Sequence, residues 1–89
     1  MNNEELREQL ARLHGELSQT ETVDAHQREL LKTLENDIQE LLNREQNQPH
    51  HYSTLGERLN EAVVQLEASH PKITLLMRRA IDSLAYLGI

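Results

Sequence analysis

The sequence predicts an all-α fold of four helices, arranged as two helical hairpins that associate into a dimer. Three observations lead there. Four segments repeat apolar residues at spacings of three and four, the period of a helix with one buried face. Residues suited to starting and stopping helices fall at the ends of those segments. Phe and Trp are absent and Tyr52 and Tyr86 are the only aromatics, so the core is aliphatic and dominated by Leu. That composition suits helix packing and argues against a sheet, which favours β-branched and aromatic residues.

Helix one is predicted from about Asn3 to Ser18, capped by Asn2 or Asn3, with Glu4 and Glu5 favourably placed in its first turn. Leu6, Leu10, Leu13 and Leu17 fall within about 60° of one another at ~100° per residue. A stripe that narrow reads as a seam for one partner helix. Gly15 lies on the opposite face and weakens the helix by about 1 kcal/mol relative to Ala. Residues 19–23 read as a connector, short enough to favour an antiparallel hairpin.

Asp24 and Gln27 match a capping box for helix two, which runs to about Arg44. Leu30, Leu31, Leu34, Ile38, Leu41 and Leu42 spread over about 120° of the wheel, wide enough to meet two neighbours. Residues 43–53 are polar and contain the helix breaker Pro49. They read as the main linker, long enough to cross a bundle or let two hairpins separate.

Thr54 and Glu57 match a second capping box, placing the start of helix three at residue 54. Its inner stripe is Leu55, Leu59, Ala62, Val63 and Leu66, with Val64 pointing away. Pro71 pushes His70 out of the helical region, and Ser69 is a candidate cap for helix four. Helix four carries the seam Ile73, Met77, Ala80, Leu84 and Leu87, with Gly88 as its stop. Leu75 and Tyr86 lie on its back, with Arg79 and Asp82 between them. The organisation is thus one small domain over residues 1–89: a hairpin at 3–45, the linker at 43–53 and a hairpin at 54–88.

Composition excludes several classes of function. Without Cys, neither a disulfide framework nor a thiolate metal site is available. The formal net charge is −6, and it belongs to residues 1–45, where eleven acids face five bases. Residues 46–89 balance four against four. An acidic half repels phosphate backbones and anionic lipid. Lys72, Arg78 and Arg79 do not make a basic stripe, and no aromatic platform exists for single strands. Arg78 and Arg79 read as partners for acidic helix faces, Arg78–Asp82 being one such pair. No apolar run approaches the ~18 residues of a membrane span. The N-terminus lacks the basic-then-apolar pattern of a signal peptide, so a cytoplasmic protein is expected.

Several strings resemble a known family. They are Leu-His-Gly-Glu-Leu (13–17), Leu-Glu-Asn-Asp-Ile (34–38), Leu-Gly-Glu-Arg-Leu-Asn-Glu-Ala-Val (55–63), Glu-Ala-Ser-His-Pro (67–71) and Leu-Gly-Ile (87–89). Together they resemble a bacterial set of short helical proteins, the domain-of-unknown-function family 4404. The likeness covers nearly the whole chain and is least in the polar segment 45–52. It implies a small helical bacterial protein. It implies no activity, and no catalytic residue carries over.

The candidate chemistry is sparse. A helical metal pair needs His at a spacing that shares a face, as at i and i+4. His14, His26, His50, His51 and His70 contain no such pair. His50 and His51 bind a divalent ion only if a third ligand arrives from elsewhere. His14 reads as an edge residue bonded to a backbone or carboxylate, and His70 as a residue of the helix three–four joint. Ser69 and His70 are adjacent in sequence, and adjacent residues at a helix break are expected to point apart. No Gly-rich phosphate loop is present, and two aromatics are too few to line a ligand pocket.

The expected function is therefore a non-enzymatic helical interaction module that self-associates, with no cofactor and no catalytic residue. Its candidate interaction residues are Leu75, Arg79, Asp82 and Tyr86, on a homodimer interface. Leu75, Tyr86 and Val64 remain wet in a monomer, and a two-fold contact buries one patch twice. The alternative is a small regulatory binding module accepting a partner helix or ligand between its hairpins.

Overall fold

The computed structural model describes residues 3–86. Among the described residues there are four helices and no strand: α1 (Asn3–Gln19), α2 (Ala25–Asn43), α3 (Pro49–Leu66) and α4 (Pro71–Tyr86). They form a ring in which α1 packs on α2 and α4, and α3 packs on α2 and α4. Side-chain bridges give the directions. Arg7 near the start of α1 meets the end of α2, and Arg58 on α3 pairs with Asp37 on α2 at 2.5 Å. Arg78 on α4 pairs with Glu67 after α3, and Lys72 on α4 faces Glu16 on α1 at 4.0 Å. Each neighbour is antiparallel to the next, so the fold is an up-down-up-down bundle measuring 35 × 21 × 19 Å. Asn2, Leu87 and Gly88, expected at the ends of the first and last helices, lie outside the described residues.

One aliphatic core fills the ring. Leu6, Leu10 and Leu13 from α1, Leu34 and Ile38 from α2, Leu59, Ala62 and Leu66 from α3, and Met77 and Ala80 from α4 have no exposed surface. Each buried Leu or Ile contributes about 1.5–3 kcal/mol by leaving water. The predicted stripes of α2 and α3 are the buried ones, with Leu30 and Leu42 half-buried at the edges and Val64 exposed. In α4 the buried face is broader than its apolar seam. Thr74 and Ser83 are also buried. Thr74 Oγ1 donates to the Pro71 carbonyl at 2.9 Å, and the Ser83 hydroxyl donates to Gln9 Oε1 on α1. A hydroxyl that finds a nearby acceptor can be buried without the desolvation penalty of an unpaired one.

Two expectations about α1 and α3 are corrected. The Leu stripe of α1 is narrow, yet the helix serves two neighbours, not one. Its leucines point between α2 and α4, and polar side chains close both flanks. Gln9 and Glu16 face α4, while His14 and Ser18 approach Glu35 of α2. The linker expected over residues 43–53 is reduced to residues 44–48, because α3 starts at Pro49 and not at Thr54. Proline breaks a helix that precedes it but suits the first position of one that begins with it, where its missing N–H has no intrahelical partner. The Gln48 N–H donates to His51 Nδ1 at 2.9 Å, so His51 takes the cap-side role expected of Glu57. Thr54 and Glu57 are exposed positions inside the helix.

The other ends obey the same accounting of unpaired backbone groups. Asp24 caps α2 by accepting the Gln27 N–H at 3.0 Å. Only that half of the expected box forms: the Asp24 N–H donates to Thr22 Oγ1, and the Gln27 amide reaches across to Ser69 Oγ. At the other end of α2, the Arg7 guanidinium donates to the Leu42 carbonyl at 2.8 Å and to that of Arg44. Asn47 Nδ2 donates to the Leu41 carbonyl at 3.1 Å. A cation at the negative end of the helix dipole is favourable as well as hydrogen-bonded. Among the described residues, no helix is long and apolar enough to cross a membrane.

Candidate functional site

The back of α4 is built by its own register. Spacings of four, three and four place Leu75, Arg79, Asp82 and Tyr86 within about 60° of one another, opposite the seam Ile73–Met77–Ala80–Leu84. The structure exposes all four. Leu75 is 49% and Tyr86 73% exposed, large apolar side chains on a surface that is otherwise mostly polar or charged. Among the described residues, neither the Arg79 guanidinium nor the Asp82 carboxylate has an ion-pair partner. The expected Arg78–Asp82 pair does not form. Arg78 leans toward α3, where its guanidinium donates to Glu67 at 2.8 Å, leaving Asp82 to solvent. Two ends of a stripe are thus apolar, and its middle carries one free cation and one free anion.

A residue that sequence reasoning passed over adjoins this stripe. Arg12 of α1 and Arg79 of α4 flank a cleft of about 80 Å³ whose other lining residues are Gln9 and Leu76. Its wall is fixed by the bond between Gln9 and the buried Ser83. The sequence signal was available only in part: Gln9, Arg12 and Glu16 share one edge of α1, but nothing in the chain order says that α4 lies along it.

His26, His50, His51 and His70 sit at helix starts or joints, and His14 lies within α1. His14 Nε2 stands 4.0 Å from Glu35 Oε1, the edge contact with a carboxylate that its position beside the Leu stripe predicts. His51 Nδ1 is occupied by the Gln48 N–H, and its ring lies 4.2 Å from that of His50. Its proton affinity is lowered from the ordinary value, first by desolvation and then by the charges of Arg44 and His50. Among the described residues, no three His, Cys, Asp or Glu side chains converge where a metal ion could sit. The third ligand that a His50–His51 site requires is thus not supplied by them.

Ser69 and His70 depart from expectation. They do not point apart: Ser69 Oγ lies 2.8 Å from His70 Nδ1. The turn that closes α3 and the break before Pro71 bring the two side chains together. Nor does Ser69 cap α4; its hydroxyl also approaches the Leu66 carbonyl at 3.5 Å. His70 Nε2 faces the Glu21 carbonyl at 3.4 Å, so the tautomer that serves both contacts has its proton on Nε2. With the Gln27 amide, this pair ties the α3–α4 corner to the α1–α2 turn. They border an open groove of about 830 Å³ floored by Leu17 and Leu31.

Comparison with known proteins adds one finding. The family model described as Domain of unknown function (DUF4404) matches residues 6–89. No curated protein matches, and no solved structure matches.

Proposed function

We propose that this chain, which belongs to the DUF4404 family, is a non-enzymatic self-association module that pairs with a second copy through the back of α4. One observation carries the reading. The stripe Leu75–Arg79–Asp82–Tyr86 is exposed, unpaired and spaced identically from either end. In an antiparallel two-fold crossing, Leu75 therefore faces Tyr86 of the other copy while Arg79 faces its Asp82, and both pairs occur twice. From Leu75 to Tyr86 the stripe is roughly 17 Å long. Such a contact lies at the small end for stable interfaces, so the dimer is expected to be of micromolar affinity.

The test is a pair of variants studied by sedimentation. Leu75→Glu with Tyr86→Glu places four added carboxylates in the contact and should leave a helical monomer. Val64→Glu, on the back of α3 at a residue 79% exposed, should leave the dimer intact. Equal effects from the two would remove the assignment to α4. The second reading, a module that accepts a partner helix or ligand between hairpins, draws on the groove bordered by Ser69 and His70. Since the hairpins meet along both α2–α3 and α1–α4 around a closed core, a ligand there lies on the rim and not between the helices.

A further inference from the structure

We infer that α3 has two starts, and that protonation of His51 moves the start from Pro49 to Thr54. The first start is built on a neutral imidazole. The Gln48 N–H donates to His51 Nδ1 at 2.9 Å, and the His51 N–H donates back to the Gln48 carbonyl at 3.0 Å. A proton on Nδ1 removes the acceptor and turns the ring into a cation at the positive end of the helix dipole. The carboxylates beside it are already engaged. Asp37, Glu40 and Arg44 of α2 and Arg58 of α3 line one small cleft with His51, and the His50 ring lies 4.2 Å away. Asp37 holds Arg58 at 2.5 Å, and Glu40 faces Arg44 at 3.7 Å. Desolvation, then the charges of Arg44 and His50, lower the proton affinity of the capped ring.

The second start lies in the same helix. Thr54 and Glu57 have the spacing of a capping box, in which the hydroxyl accepts the N–H three residues on and the carboxylate accepts that of Thr54. In the structure both are exposed positions inside α3, about one and a half turns past Pro49. The segment between the two starts, residues 49–53, holds no buried residue, and the first buried side chain of α3 is Leu55. Tyr52, half-buried against the core, is the packing that the shift releases. His, Tyr and Ser are middling helix formers, so this segment depends on its cap more than on propensity. Unwinding to Thr54 lets the His51 ring ionise in water and places the Glu57 carboxylate at the new helix start, where the dipole favours it. The connection between the hairpins then lengthens from residues 44–48 to residues 44–53. The unwound form binds the proton more readily than the capped one, so the shift comes as pH falls below the ordinary imidazole value of 6.5.

Backbone carbon chemical shifts of the full chain, followed by NMR from about pH 7.5 to about pH 5.5, test it; ordinary carboxylates keep their charge over that range. The His51 ring resonances report its own titration. Residues 49–53 should move from helical toward coil values in step with it, while residues 55–66 stay helical and serve as the control for folding. His51→Gln, which keeps an acceptor and loses the titrating ring, should hold 49–53 helical throughout. His50→Gln should leave the transition in place. Thr54→Val removes the second cap at little change in helix propensity. It should be silent at the higher pH and carry the loss of helix past residue 54 at the lower one. Residues 49–53 that stay helical while His51 titrates overturn the inference, as does a loss that His51→Gln fails to prevent. A wild-type transition that takes residues 55–59 with it, or one that Thr54→Val leaves unchanged, removes Thr54 as the second start and overturns it too.

Discussion

His51 holds its place in α3 as a hydrogen-bond acceptor, and that role requires a neutral ring. Protonating Nδ1 removes the acceptor and leaves the Gln48 N–H facing another N–H. Desolvation comes first in lowering its proton affinity, then the charges of Arg44 and His50. Asp37 and Glu40 line the same small cleft as His51. The unfolded imidazole takes up a proton near pH 6.5, and the folded one only at lower pH. Between the two the unfolded chain binds more protons, so stability falls as pH falls through this window. His51→Gln keeps an acceptor without a titrating ring. Urea unfolding of wild type and variant should therefore differ in slope below about pH 6.5 and run parallel above it. A difference independent of pH contradicts the role. At Gly15 the expectation is a gain. A Cβ there meets no atom within 4 Å, so Gly15→Ala should raise stability by about 0.5–1 kcal/mol in the same assay. A loss would mean that the open face of α1 is occupied in solution.

The helices themselves were legible because every buried stripe reads from three- and four-residue spacings, as in Leu31–Leu34–Ile38–Leu41. Their ends were legible where side chains act locally. Asp24 caps α2 because a carboxylate three residues before an N–H reaches it without help from the rest of the fold. Thr54 carried an equivalent signal and lost, since Pro49 had already started the helix one and a half turns earlier. The two positions should behave differently. Asp24→Ala should cost about 1 kcal/mol, whereas Thr54→Ala should be neutral or slightly stabilising, because Ala is the better residue inside an exposed helix. Chemical denaturation of the two single variants checks this, and comparable losses would restore Thr54 as a cap. What was not legible needed a second helix to define it. Thr74 and Ser83 look like surface residues until acceptors at Pro71 and Gln9 are placed beside them. Arg12 is one cation among several until α4 brings Arg79 to it.

At the scale of the whole molecule, three short connections and a closed ring of contacts leave the interior complete. Among the described residues the large apolar side chains left exposed are Val23 in the α1–α2 turn, Val64 on α3, and Leu75 and Tyr86 on α4. The last two share a face with an unpaired cation and anion, whereas Val23 and Val64 stand apart from it. That distinction is what turns ordinary exposed residues into a proposed contact, since single apolar residues on a surface are commonplace. A small bundle also gains from it. A chain of this length has little hydrophobic surplus, and association adds buried area without a longer sequence. The most direct measurement is the mass of the wild-type protein by light scattering after size exclusion, over a concentration series into the high micromolar range. Self-association through α4 predicts a rise toward twice the chain mass of 10.3 kDa as concentration increases. A mass that stays at that of one chain across the series contradicts it.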